Sequence, residues 1–186
     1  MRTLTTVVGL VGAVVLAGCG SSEDPVAGSP TGTSAADGIA EDVPTGIDPC
    51  DIPPEVLNSI TPGLRKGNLD DNTSRGAIKW RGCRYVVSDG YTTTMSLTNL
   101  TLDMLREKNY PGREDVVDGR TVLTTHQASD PTGVEGCVLN VQMQGGSLEF
   151  SVDNSHGTSP KTRHLTACEV GMSVAEKIVP LIEPGA

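Results

Sequence analysis

The chain has 186 residues, with 14 Lys and Arg against 23 Asp and Glu, for a formal charge of −9. Such acidity excludes a nucleic-acid surface and adhesion to anionic lipid by charge. The aromatic residues Trp80, Tyr85, Tyr91, Tyr110 and Phe150 are too few and too scattered to form stacking platforms for bases or sugars.

The first element is an apolar run over residues 4–16, closed by Leu16-Ala17-Gly18-Cys19 and followed by Gly20-Ser21-Ser22-Glu23-Asp24. Its apolar body of about a dozen residues is shorter than the ~20 that span a bilayer as a helix. Small residues directly before a cysteine give the cleavage context of a lipoprotein signal, so residues 1–18 are expected to be removed and Cys19 lipidated. Two or three acyl chains on one cysteine hold a protein stably, since each buried CH₂ contributes ~0.8 kcal/mol. The expected location is therefore the outer face of the cell membrane, with the lipid on Cys19 as the membrane contact.

With Cys19 assigned to lipid, Cys50, Cys83, Cys137 and Cys168 form an even set in an exported chain. No C-x-x-C spacing is present to clamp a metal, so two disulfides are expected. Four cysteines allow three pairings. Cys50–Cys83 and Cys137–Cys168 are favoured because they close loops of similar length, each worth roughly 3–4 kcal/mol in the chain-entropy model.

Residues 20–48 contain no Lys or Arg and are rich in Gly, Ser, Thr, Pro and Ala. Residues 19–48 are accordingly expected to be the lipidated cysteine and a disordered acidic tether, with the folded domain at 49–186. Pro53-Pro54 and the following residues to Ile60 predict a short helix with Asp51 as a cap and Thr61-Pro62-Gly63 as its stop. Asp70-Asp71-Asn72-Thr73-Ser74 has the acidic opening of a calcium loop. Arg75 and Arg81 stand where the glycine and the closing glutamate are needed, so the stretch reads as a solvated turn.

Residues 77–88 are strand-like but change phase, and a bulge at Gly82 would bring Ile78, Trp80, Cys83, Tyr85 and Val87 to one face. Lys79, Arg81 and Arg84 would then form a basic outer face, most simply a solvated one. A second strand over 92–97 follows a three-residue turn, Asp89-Gly90-Tyr91. Residues 100–108 predict an amphipathic helix and 120–125 another strand. Cys137 to Asp153 gives the clearest pattern: Leu139, Val141 and Met143, then Leu148, Phe150 and Val152, alternate with polar residues around a Gly145-Gly146 turn. That turn sets Met143 opposite Leu148 and Cys137 beside Asn154, near the loop leading to Cys168, which favours the Cys137–Cys168 bond. The last helix, 169–179, carries an apolar stripe of Val174, Ala175, Ile178 and Val179. The fold expected is α+β: a single antiparallel sheet of about five strands against two or three helices, with two disulfides.

The run Asp48-Pro49-Cys50-Asp51, the strand Gly82-Cys83-Arg84-Tyr85, the Cys137 hairpin and the Cys168 helix together resemble the actinobacterial secreted lipoproteins of the domain-of-unknown-function 3558 family. That resemblance implies a lipobox, a low-complexity tether and a cysteine framework, and no activity. In element order alone the chain is similar, more distantly, to the Mog1/PsbP-like lipoproteins, which act through binding.

No G-x-S-x-G elbow, H-E-x-x-H helix, phosphate loop or dinucleotide fingerprint is present, so neither an enzyme nor a cofactor is expected. Pairing of the 120–125 strand with the Cys137 strand brings His126, His156 and His164 into loops at one end of the sheet. The simplest reading is three exposed histidines on polar loops held by a disulfide, a candidate binding surface without a metal. The leading functional expectation is a non-enzymatic lipoprotein domain that binds an envelope protein or a small ligand, a sensor-like domain being one form of it. A lipid or glycolipid carrier, which needs an apolar cavity between sheet and helices, and a hydrolase are the alternatives.

Overall fold

The computed structural model describes residues 38–108, 112–126, 130–155 and 158–186. The signal segment, Cys19, the tether as far as residue 37, and His156 lie outside the described residues. In chain order the elements are α1 (Pro54–Ile60), β1 (Arg65–Arg75), β2 (Ile78–Val86), β3 (Thr92–Thr98), α2 (Leu102–Glu107), β4 (Gly112–Val117), β5 (Arg120–His126), β6 (Gly136–Met143), β7 (Gly146–Asp153) and α3 (Ala167–Ile178), which runs into a 3-10 turn at Val179–Leu181. No helix among the described residues is long and apolar enough to cross a membrane.

All seven strands join one antiparallel sheet in the order β1-β2-β3-β7-β6-β5-β4. Five strands were expected; the two extra ones, β1 and β4, are its edges. Their sequences, RKGNLDDNTSR and GREDVV, carry little apolar alternation because edge strands face water and take charge to resist pairing with other chains. The turn expected at Asp70 to Ser74 is therefore part of β1, hydrogen-bonded to β2 beyond a register shift between Lys66 and Asp70.

One face of the sheet is covered by α3, which crosses β6 and β7 and meets α1. A capping box starts α3: the Thr166 hydroxyl accepts from the Glu169 N–H, while the Glu169 carboxylate accepts from the Thr166 N–H. Gly171 lets the helix approach closely, since a Cβ there would stand 2.4 Å from Leu139 Cδ1. Leu139, Val141, Leu148, Phe150, Val152 and Val174 fill this layer with no exposed surface. The other face carries a smaller cluster of Leu100, Leu102, Leu105 and Leu123, with Ile78, Trp80 and Met104 against it.

Two registers differ from expectation. β2 pairs with β3 without a bulge at Gly82: Cys83 lies opposite Met95 and Tyr85 opposite Thr93, while Ile78 and Trp80 turn to the second face. The phase change is thus an alternation serving two cores. Lys79, Arg81 and Arg84 do not form one basic face, because Arg84 shares Trp80's parity and the other two do not. The β6–β7 hairpin turns at Gln144-Gly145, with Met143 opposite Gly146 and Val141 opposite Leu148. Gly146 belongs to the strand because its Cα faces Thr98 O so closely that a Cβ would lie 2.0 Å from it. Cys137 accordingly sits beside Val152, not Asn154.

The structure contains both disulfides, Cys50–Cys83 and Cys137–Cys168. Tyr85 donates its hydroxyl to Pro49 O at 2.7 Å, so the Asp-Pro-Cys start and the Cys-Arg-Tyr strand form one buried unit. Desolvation by burial pushes the Tyr85 phenol up to about 12. Asp51 does not cap α1, whose N-terminus has no side-chain cap and carries proline in its first turn.

Residues 38–48, assigned to the tether on composition, belong to the domain. Val43 is 7% exposed in the main core, Asn99 Nδ2 donates to Ala40 O at 2.8 Å, and Glu183 N donates to Gly46 O at 2.9 Å. Val43 and Pro44, both buried, Ile47 packed on the main core, and backbone carbonyls hold this strap, and composition does not register them.

Candidate functional site

A cleft of about 620 Å³ lies on the face that α3 leaves open, floored by β1, β2, β3 and β7. Strand alternation builds it. Trp80 and Arg84 project from β2, Thr94 from β3, and Glu149 and Ser151 from β7, with Asp71 and Leu69 contributed by the edge strand β1. Gly82, between Trp80 and Arg84, keeps β2 against β3, since a Cβ there would fall 1.9 Å from Met95 O.

The polar groups in the cleft are tied to one another. The Trp80 indole N–H donates to the Glu149 carboxylate. Ser96 Oγ donates to Asp71 Oδ2 at 2.7 Å, and Thr73 Oγ1 donates to Asp71 Oδ1 at 3.3 Å. Desolvation pushes the Glu149 carboxyl up to about 6; the Trp80 hydrogen bond pulls it down and the charge of Asp71 raises it. Arg75 and Arg84 place positive charge on the same cleft. A mixed set of this kind, one aromatic ring with two carboxylates and two guanidiniums, suits a small polar ligand held by several hydrogen bonds.

A second cavity, of about 310 Å³, opens over the Cys137–Cys168 bond and is lined by Arg113, Thr124, His126, Gly133, Cys168 and Glu169 among others. His126 ends β5 opposite Cys137, and its Nδ1 stands 3.7 Å from Cys168 Sγ. His164 is exposed in the turn before α3 and lies near Glu169, whose carboxyl is held below its usual range chiefly by the Thr166 N–H. His126 and His164 therefore both adjoin the first turn of α3, through Cys168 and Glu169 respectively.

The loop entering β6 is ordered by Asp130, whose carboxylate accepts from Thr132 N, Glu135 N and Gly136 N at 3.1, 2.6 and 3.0 Å. These bonds, with that from the Thr132 hydroxyl as the largest, hold the Asp130 carboxyl well below the usual range. The loop brings Gly133, at φ +67°, against the histidine: a Cβ there would lie 2.4 Å from His126 Nδ1 and 2.8 Å from Cys168 Sγ.

A family model described as "Protein of unknown function (DUF3558)" matches residues 14–181. The chain belongs to that family. No curated protein and no solved structure matches it. In this DUF3558 chain the match takes in all four disulfide cysteines and both cavities. Sequence reasoning reached His126 and His164 through the expected strand pairing. It missed the cleft, because Asp71 enters on an edge strand without a hydrophobic period and Trp80 was assigned to the wrong face. The one available signal was parity: a tryptophan and an arginine at even positions of a strand whose odd positions carry cysteine and tyrosine.

Proposed function

We propose that this DUF3558 chain is an exported lipoprotein, anchored to the outer face of the cell membrane through lipid on Cys19. Its domain binds a small polar ligand, without chemistry, in the cleft of Trp80, Glu149 and Asp71. The observation that carries this reading is the convergence of hydrogen-bonding and charged side chains in an open cleft of about 620 Å³ on the side of the sheet opposite α3. The filled layer beneath α3, where Leu139, Phe150 and Val174 are fully buried, supports ligand binding at the surface over carriage of lipid within the core. Disulfide stapling and the apolar segment before Cys19 support export.

Trp80 is the single tryptophan of the chain, so its fluorescence reports on the cleft. Titration with a panel of polar metabolites should change its emission saturably for some members and not in an Arg84→Ala variant. A panel spanning sugars, amino acids and short peptides that leaves the emission unchanged would count against the reading. The anchor is tested separately, by metabolic labelling with an alkyne fatty acid, which should mark the wild type and not Cys19→Ser.

One observation favours a hydrolase as a second reading: Glu149 holds its proton to about pH 6 beside the Asp71 carboxylate, the pairing of acid and carboxylate that glycoside hydrolysis uses. Turnover of glycosides lost in both Glu149→Gln and Asp71→Asn would select it over plain binding.

A further inference from the structure

The two disulfides differ in the titratable group nearest the sulfurs, a carboxylate at one and an imidazole at the other. Cys83 is fully buried and Cys50 half-buried; Asp70 Oδ1, itself 3.8 Å from Lys66 Nζ, stands 3.0 Å from Cys83 Sγ, and a carboxylate there disfavours both an incoming thiolate and a departing one. At the other bond Cys137 is fully buried, whereas Cys168 is half-buried and lines the cavity of about 310 Å³ together with His126. Each bond thus pairs a buried cysteine with a half-buried one, and what sets this bond apart is the imidazole that lines the cavity at its half-buried sulfur. His126 offers a ring nitrogen within 4.8 Å of both sulfurs, and Cys137 Sγ lies 3.6 Å from Thr125 O, positioned to receive an S–H. Gly133 is what permits this approach, since any side chain there would displace the imidazole. The charged groups facing His126 are Arg113 from β4 and Glu169 from α3, with His164 beside Glu169.

We propose that Cys137–Cys168 is a thiol–disulfide exchange site for an external dithiol. Cys168 is the attacked sulfur and His126 the proton donor to the departing one. A thiolate of the dithiol enters the cavity and attacks Cys168 Sγ, forming a mixed disulfide as the Cys137–Cys168 bond breaks. The electron pair of that bond leaves on Cys137 Sγ, which takes a proton from protonated His126 and donates the resulting S–H to Thr125 O. The second thiol of the dithiol, as its thiolate, then displaces Cys168 as thiolate and closes its own disulfide. The two protons of the dithiol replace the one His126 gave up and leave Cys168 able to re-protonate, so the chain gains two thiols and the dithiol is oxidised by two electrons. The neighbouring imidazole and the first turn of α3 both favour the Cys168 thiolate. In the return direction the same groups make Cys168 the attacking thiolate on an oxidised partner. This inference is independent of the ligand cleft, which lies against the other face of the sheet.

The test uses the full chain with both disulfides formed, exposed to dithiothreitol for graded times, quenched in acid, alkylated and mapped by mass spectrometry. Cys137–Cys168 should open at least about tenfold faster than Cys50–Cys83. His126→Gln should slow opening of Cys137–Cys168 by roughly tenfold and leave Cys50–Cys83 unaffected. Gly133→Ala retains the histidine but displaces it, and should slow the same bond. Equal opening rates, or earlier opening of Cys50–Cys83, would overturn the proposal. So would a His126→Gln protein that opens Cys137–Cys168 at the wild-type rate, which would leave His126 a packing residue only.

Discussion

The Trp80 indole N–H donates to the Glu149 carboxylate across β2 and β7, so the protonation of Glu149 and the surroundings of the indole are coupled on the open sheet face. Because burial raises Glu149 to about 6 from the ordinary 4.5, the folded chain holds a proton there that the unfolded chain has already released. Stabilisation from the protonated form is fully present below about pH 4.5 and is lost as pH rises through about 6. The size is on the order of 1–2 kcal/mol, since one pKa unit corresponds to ~1.4 kcal/mol and the group is partly reached by solvent.

Glu149→Gln should therefore remove a fall in stability between pH 4.5 and 7 that the wild type shows in denaturant melts. The Trp80 emission of the wild type should titrate with a midpoint near 6 and that of Glu149→Gln should be flat. A wild-type emission profile flat across this range would contradict the coupling.

The Cys50–Cys83 bond closes a separation of 33 residues and ties the start of the domain to β2, where Tyr85 adds its hydrogen bond to Pro49 O. Replacing both cysteines by alanine should cost about 3–4 kcal/mol by chain entropy. Tyr85→Phe should cost about 1–2 kcal/mol by leaving a buried carbonyl without its donor. Measured together, the losses should be non-additive, because both act on the same few residues. Strict additivity would mean that the Pro49 carbonyl is held in place without the disulfide.

How far the sequence discloses this structure depends on whether a residue's partners are apolar. The β6–β7 hairpin, α3, α1 and the cysteine framework were legible because alternation, helical stripe, proline and cysteine parity are each local signals. The hairpin register was two residues off, since the crowding at Gly146 comes from Thr98 in a distant strand. β1 and β4 were invisible because their pairing is almost wholly backbone, and the strap at residues 38–48 because a carbonyl has no sequence signature. The candidate cleft depends on β1, so missing one edge strand concealed it. His126 was found because its strand and pairing partner both carry clear alternation.

Glycines separate close approach from turn geometry. Gly82→Ala would drive a Cβ to within 1.9 Å of Met95 O, which is backbone in the centre of the sheet and cannot yield. A loss of more than about 3 kcal/mol, or failure to fold, is expected. Gly76→Ala meets nothing within 4 Å but sits at φ +62°, so it should cost only about 1 kcal/mol of backbone strain. Thermal melts of the two variants side by side would check the contrast, and comparable losses would contradict it.

Asn99 fastens the strap to the sheet. Fully buried, it accepts from Lys79 N at 2.9 Å through Oδ1 and donates through Nδ2 to Ala40 O and Ala77 O, both at 2.8 Å. Asn99→Ala strands three backbone groups, and an unsatisfied buried group costs about 1–3 kcal/mol, so a loss of roughly 2–4 kcal/mol is expected after partial rehydration. Asn99→Asp keeps the acceptor for Lys79 but turns a carboxylate oxygen toward two carbonyls, so at neutral pH it should be at least as damaging. The strap should loosen first: proteolysis within residues 40–46 and hydrogen exchange at the Glu183 amide, which donates to Gly46 O, should both accelerate before global unfolding. An Asn99→Ala protein within about 0.5 kcal/mol of wild type, with a protected strap, would show that Val43 and its apolar contacts hold residues 40–46 without the amide.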